Sequence, residues 1–210
     1  MDNDTKKLLW QDAIGWLKTI VFALIFAWFF VNYVIVNASV PTGSMRDTIR
    51  EGDRVVAFRL SYLFSQPRRN DVVIFRGIET RRLYVKRIIG LPGETVRIAD
   101  WRVYIDGIQQ EEYFVQSLFD GRMPAAMHRN YPAIVAHMPH NDYVTVPEDG
   151  SPAYITVPEG HFFVLGDNRD NSVDSRGTGT PGTLSTFVSR EQIQGRVIFR
   201  YWPGFQTFSR

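Results

Sequence analysis

Leu83-Tyr84-Val85-Lys86-Arg87-Ile88-Ile89-Gly90-Leu91-Pro92-Gly93-Glu94 is an apolar, β-branched run with one lysine near its centre. Such a run reads as a buried strand. The lysine is unusual in this chain. Lys6, Lys7, Lys18 and Lys86 are the only lysines, whereas all the arginines lie at position 46 or later. Past residue 18, every positive side chain but one is therefore arginine. Arginine stays charged in a protein, while a buried lysine can lose its proton. Two readings of Lys86 are open on this stretch alone: a neutral amine with chemical work, or a lone surface lysine.

Working outward, the rest of the chain beyond residue 45 has a β texture. Arg54–Phe58, Asp71–Phe75, Thr95–Ile98, Arg102–Ile105, Tyr154–Val157, His161–Leu165 and Arg196–Tyr201 read as strands, separated by turn signals such as Asp106-Gly107 and Pro158-Glu159-Gly160. Ser189-Arg190-Glu191-Gln192 is a capping-box pattern ahead of Gly195, the one later helical hint. Residues 109–143 have weak periodicity and read as an insertion, and residues 177–186 as a flexible loop.

The N-terminal part differs. No charged residue occurs between Lys18 and Arg46, and Ile20–Val36 is almost wholly apolar. About 20 such residues span a bilayer as a helix. Trp10, Trp16 and Tyr33 suit the interfaces, and Lys18 can reach outward. Val36-Asn37-Ala38 resembles a cleavage site, but the apolar run exceeds the roughly 7–15 residues of a cleaved signal. A retained anchor is expected, with its N-terminus inside. Leu60-Ser61-Tyr62-Leu63-Phe64 suits either a membrane interface or the core.

Bulk composition narrows the function. The net charge of +2 comes without a basic stripe interleaved with aromatics, so nucleic acid is not an expected partner. Cysteine is absent, which removes disulfides and thiolate chemistry. No zinc-binding His-Glu-x-x-His, phosphate loop or Gly-x-Ser-x-Gly elbow is present. His128, His137 and His140 fall in the insertion without an acidic ligand pattern, and His161 begins a strand. Neither a metal nor a cofactor is expected.

A serine with a lysine base remains. The serine hydroxyl needs a base to become a nucleophile, and a desolvated lysine amine can serve. Pro41-Thr42-Gly43-Ser44-Met45 follows the apolar span by a few residues. It reads either as a juxtamembrane linker or as a nucleophile turn. Gly166-Asp167-Asn168-Arg169-Asp170-Asn171-Ser172-Val173-Asp174-Ser175-Arg176 is dense in charges and short polar side chains. It reads either as a solvated turn or as a network orienting a catalytic group.

Together these three stretches resemble the bacterial type I signal peptidases. Thr42–Thr48 is similar to the family's nucleophile box, Tyr84–Glu94 to its lysine box, and Gly166–Arg176 to its third box. The resemblance covers most of residues 14–203. It implies a mainly β fold: an all-β catalytic core (residues 37–97 and 154–210) with an inserted β-rich subdomain (98–153). One N-terminal transmembrane helix (14–36) follows a cytoplasmic tail (1–13). It implies a membrane-bound serine endopeptidase of the cytoplasmic membrane that releases signal peptides from exported pre-proteins after small residues.

The residue roles are likewise implied by resemblance. Ser44 is the expected nucleophile and Lys86 the expected base. The Ser44 amide and Thr42 hydroxyl form the expected oxyanion hole. Ser172 orients the amine, Met45 walls it from water, and Asp174, Arg176, Arg87 and Asp167 support the loop. Tyr84, Val85 and Pro41 border an extended substrate. Departures are Asp47 where the family commonly has proline, Thr42 for serine, the longer 177–186 loop and the unfamiliar insertion. Two other readings share features of the chain: a self-cleaving Ser/Lys repressor-type protease, and a membrane-tethered module that binds signal sequences without cutting them.

Overall fold

In this computed structural model the residues described are 3–46, 48–78, 80–99, 102–115, 143–145, 147, 152–169, 171–176 and 187–208. The chain opens with a helix, α1 (Asn3–Phe29), continued by a π-helical turn at Phe30–Val34. Trp10–Val34 is long and apolar enough to cross a membrane, and its side chains are exposed up to Tyr33. Thr19 Oγ1 donates to Gly15 O at 3.1 Å, and Asn32 Nδ2 to Trp28 O at 2.7 Å. Both polar side chains thus return their donors to the helix backbone.

The helical segment gives way to strand within the apolar run. It begins at Asn3, and Ile35 and Val36 already belong to the first strand, β1 (Ile35–Ser39). Three β-branched residues in succession, Val34-Ile35-Val36, favour the change from helix to strand. β1 pairs with β2 (Arg54–Phe58) from Ile35↔Phe58 to Ser39↔Arg54. The Ala38–Ser39 bond, where a cleaved signal would end, therefore lies inside a paired strand.

Among the described residues eleven further strands follow: β3 (Val72–Arg76), β4 (Leu83–Gly90), β5 (Thr95–Ala99), β6 (Arg102–Ile105), β7 (Ile108–Gln109), β8 (Val144–Thr145), β9 (Tyr154–Thr156), β10 (His161–Leu165), β11 (Val188–Ser189), β12 (Ile193–Trp202) and β13 (Gln206–Thr207). They form two sheets. The eight-stranded sheet runs β1-β2-β12-β3-β4-β10-β11, with β13 on β12; the five-stranded sheet runs β7-β6-β5-β9-β8. Every pairing among them is antiparallel.

The second sheet takes strands from both sides of residues 98 and 153. β5 straddles the first, and β9, assigned by sequence to the catalytic core, pairs with β5 from Thr95↔Thr156 to Arg97↔Tyr154. Strand pairing is a long-range choice that a three-residue run does not encode. The capping box at Ser189 forms, with Gln192 Oε1 accepting from Ser189 N–H at 2.7 Å. It yields a single 3₁₀ turn, Arg190–Gln192, because β-branched and aromatic residues resume at Ile193 as β12. His128, His137, His140, Asp47 and the 177–186 loop lie outside the described residues.

β3 is buried on both faces. Val72 and Ile74 pack with Val36, Met45, Ile49 and Val55, while Val73 and Phe75 pack with Tyr62, Ile88 and Phe162. A third cluster, including Ile89, Val96, Phe114, Phe163 and Leu165, joins the two sheets. The loop 60–64 divides: Tyr62 is core, whereas Leu60 and Leu63 are exposed and Phe64 is 94% exposed. β4 holds a central place. One of its edges pairs with β3 from Leu83 to Arg87, but its pairing with β10 covers only Arg87, Ile88 and Gly90. Leu83–Lys86 therefore has no β10 partner on its other edge.

Candidate active site

The Ser44 turn is held from below by apolar burial. Val40 N–H donates to Asp53 O at 2.9 Å, Thr42 is extended, and Gly43–Met45 makes a 3₁₀ turn. Met45 and Ile49 are fully buried on either side of the turn's exit, and Ile49 N–H donates to Met45 O at 2.6 Å. Two buried anchors thus fix a short polar turn whose own propensity is weak. Pro41 and Thr42 stay exposed, and the Thr42 side chain makes no capping bond.

Lys86 reaches this turn from β4. Its Nζ donates to Ser44 Oγ at 2.6 Å, between residues that are 42 apart in sequence. Lys86 is 3% exposed and Ser44 8%. Burial lowers the amine's pKa to about 8, with Arg176 acting the same way and Asp174 and Asp167 opposing. Desolvation wins because the two carboxylates spend most of their charge on arginines. A buried amine beside a hydroxyl can take the hydroxyl's proton once it is neutral, and 2.6 Å serves that transfer.

The loop Gly166–Arg176 supplies those charges. Arg176 Nε and Nη2 donate to Asp174 Oδ1 and Oδ2, each at 2.8 Å, and Gly166 N–H donates to Asp174 Oδ2 at 3.0 Å. Burial works to raise the Asp174 carboxyl's pKa. The charge and hydrogen bonds of Arg176, with the Gly166 amide, outweigh it and hold the pKa below its ordinary value. Arg87 clasps Asp167 through Nε–Oδ1 at 2.9 Å and Nη2–Oδ2 at 2.6 Å. Asp167 N–H points at Met45 Sδ, 3.5 Å away.

Ser172 departs from expectation. Its Oγ is shut off from solvent and, among the described residues, has no partner in hydrogen-bond geometry. The expected bond to Lys86 is not formed. The hydroxyl is wedged instead against Gly166, where a Cβ would come within 2.2 Å of Ser172 Oγ. Of the expected substrate-bordering residues, Tyr84 stacks on Phe75 at 5.7 Å and, like Val85, is half-buried. Both lie on the stretch of β4 without a β10 partner.

Some contributors escaped the sequence reading. Asn168 donates from its backbone to Ser44 O at 3.1 Å and from Nδ2 to Gly43 O at 2.9 Å, tying the third stretch to the nucleophile turn. Thr48 Oγ1 donates to Asp167 Oδ2 and accepts from Arg87 Nη2 at 3.3 Å. Glu112 forms a buried ion pair with Arg169. Asn168 and Arg169 stand in a recognised stretch, but a run of polar residues does not reveal which carbonyl each will meet. Glu112, in weakly periodic sequence, carries no such signal. Among the described residues, no three His, Asp or Glu side chains converge as a metal site.

Comparison with known proteins agrees with the sequence resemblance. The chain is 33% identical over 195 residues to a signal peptidase I of Leptolyngbya laminosa, covering 89% of this chain and 78% of that protein. It is 30% identical over 194 residues to a signal peptidase I of Bacillus licheniformis, covering 92% and 90%. Residues 13–202 match the family described as signal peptidase, peptidase S26, and the chain belongs to that family.

Proposed function

We infer that this chain is a membrane-associated serine endopeptidase that removes signal peptides from exported pre-proteins, with Ser44 as nucleophile and Lys86 as general base. The observation that carries the reading is the buried 2.6 Å contact between Lys86 Nζ and Ser44 Oγ. Neutral Lys86 takes the Ser44 hydroxyl proton as Oγ attacks the scissile carbonyl. The tetrahedral oxyanion is met by the Ser44 N–H and the Thr42 hydroxyl. Lys86, now an ammonium, protonates the leaving amine as the peptide bond breaks. Water then attacks the acyl-serine, giving its proton to Lys86, and the ester bond breaks with the proton returned to Ser44.

The other residues take supporting roles. Met45 and the turn around it exclude water from the amine. Asp174, Arg176, Arg87 and Asp167 fix the field around it, and Ser172 is a hydroxyl poised beside the network. An extended substrate adds to β4 along Tyr84 and Val85, beyond the stretch that β10 pairs with, opposite the chain around Pro41, in the manner of β-augmentation. Shallow pockets along it favour small residues before the cut.

The helix over Trp10–Val34 anchors the chain in the bacterial cytoplasmic membrane, residues before it lie in the cytoplasm, and the sheets lie outside. The eight-stranded sheet is the catalytic core, and the five-stranded sheet an insertion into it. Exposed Leu60, Leu63 and Phe64 neighbour the helix exit and face lipid. The test is incubation of the full chain, in detergent, with a pre-protein and location of the cut by mass spectrometry. Wild type should cut after the signal peptide, while Ser44→Ala and Lys86→Arg should not. Cutting by Ser44→Ala would overturn the reading.

A further inference from the structure

The segment Glu112–Val115 follows β7, on the five-stranded side of the molecule, yet two of its side chains reach the catalytic side. Glu112 and Arg169 are both more than nine-tenths buried. Arg169 Nη1 donates to Glu112 Oε2 at 3.1 Å, and Nη2 donates to Oε1. The third donor group of the same guanidinium, Nε, donates to Gly166 O at 3.1 Å. Two residues on, Phe114 lies under the guanidinium of Arg87, 4.0 Å from ring centre to Cζ. Arg87 is the residue that clasps Asp167 and directly follows Lys86.

We propose that Glu112 and Phe114 are positioning residues for the catalytic dyad, by which the inserted sheet holds the Gly166–Arg176 loop against Ser44 and Lys86. This rests on the peptidase reading above. Gly166 is the point of leverage. Its N–H aims Asp174, its carbonyl is held by Arg169, and a Cβ added to it would run into Ser44 O and Ser172 Oγ. The loop consists largely of short polar side chains, which give little apolar burial to fix it. Glu112 neutralises Arg169 and sets the plane of its guanidinium, so that Nε meets Gly166 O. Without Glu112 a buried cation is left uncompensated and turns toward water, releasing Gly166. On the other side, Phe114 fixes the guanidinium plane of Arg87 by a cation–π contact. Neither residue touches the reacting atoms.

The test uses the full chain in detergent and a cleavable pre-protein, with rates normalised to active-site concentration. Glu112→Gln should lower kcat at least about tenfold and leave KM within about twofold, as expected for small misplacement of reacting groups. The double variant Glu112→Leu/Arg169→Met removes both charges, which restores stability when a buried pair is the only issue. It cannot hold Gly166 O, so its melting temperature should match or exceed wild type while kcat stays low. Phe114→Leu keeps the apolar cluster filled and should lower kcat about threefold, which decides the matter if the double variant fails to fold. Wild-type kcat in a folded double variant, or unchanged kcat in Glu112→Gln or Phe114→Leu, overturns the proposal. A wild-type chain that leaves the pre-protein uncut overturns the peptidase reading itself, and this inference with it.

Discussion

Lys86 Nζ meets Ser44 Oγ at 2.6 Å in a place where both residues are nearly shut off from water. The amine's pKa there is about 8, lowered from 10.5 chiefly by burial. Only the neutral amine can act as base. The pH profile of kcat/KM should therefore rise about tenfold per pH unit on the acid side and level off above about 8. Initial rates on a soluble peptide substrate between pH 5 and 10 check this. A limb centred near 6, where a histidine titrates, would point to a different base.

The same burial has a cost in stability. Below pH 8 the native state holds a charged amine that the unfolded chain would carry in water. Between about 8 and 10.5 the unfolded state binds more protons than the native state, so stability rises with pH across that window. Lys86→Met removes the burden while filling the space. It should stabilise the folded chain at pH 7 by on the order of 1–3 kcal/mol and abolish cleavage. The gain should shrink as pH approaches 10.5. Thermal unfolding at pH 7 and pH 10 measures both, and a gain larger at pH 10 would contradict the sign.

Thr42 is extended and exposed, and its side chain caps nothing. In the proposed mechanism its hydroxyl meets a charge that develops only during reaction. Thr42→Ala should lower kcat by about 10²–10³ with little change in KM, the pattern of an interaction made mainly in the transition state. Thr42→Ser should retain most activity. Steady-state kinetics on the same peptide separates the two parameters, and a raised KM at constant kcat would exclude the oxyanion role.

How far the sequence could be read depended on the range of the interactions involved. β2, β4, β6 and β10 were legible because short apolar runs between turn residues are local signals. Lys86 stood out because the run around it is largely apolar and every other cation past residue 18 is arginine. The start of β1 was hidden because Ile35 and Val36 continue the apolar helix without a break, and an unbroken run has no period to change. The place of β9 in the second sheet depends on its pairing with Thr95–Arg97, far away in sequence. Glu112 was invisible because its meaning comes wholly from Arg169, 57 residues later. For Ser172, whether the hydroxyl meets Lys86 or lies against Gly166 is decided by shifts smaller than any pattern records.

The strand assignment of β1 bears on processing of the chain itself. Ala38 pairs with Val55, and Val36 and Val40 on either side are buried. Cutting after Ala38 would require pulling an edge strand out of the sheet and exposing those side chains. The chain purified from membranes should therefore keep its N-terminal helix, with the intact mass found by mass spectrometry. A mature form beginning at Ser39 would show that β1 opens more readily than its burial implies.

Gly166 tests how tightly the third stretch and the nucleophile turn are packed. A Cβ at this position would lie 2.2 Å from Ser172 Oγ and 2.4 Å from Ser44 O. The serine side chain can swing away, but the Ser44 carbonyl is backbone, held by the Asn168 N–H at 3.1 Å. Something in the turn must then move, and the Ser44 hydroxyl moves with it. Gly166→Ala should destabilise the fold by about 1–3 kcal/mol, the usual cost of overpacking. It should lower kcat by about a hundredfold, because a displacement near 1 Å between nucleophile and base is enough for that. Ser172→Ala in the Gly166→Ala background relieves the hydroxyl clash but leaves the carbonyl clash. Activity should therefore stay low in the double variant. Full recovery would mean that the hydroxyl, and not the Ser44 backbone, is the contact that makes glycine necessary here.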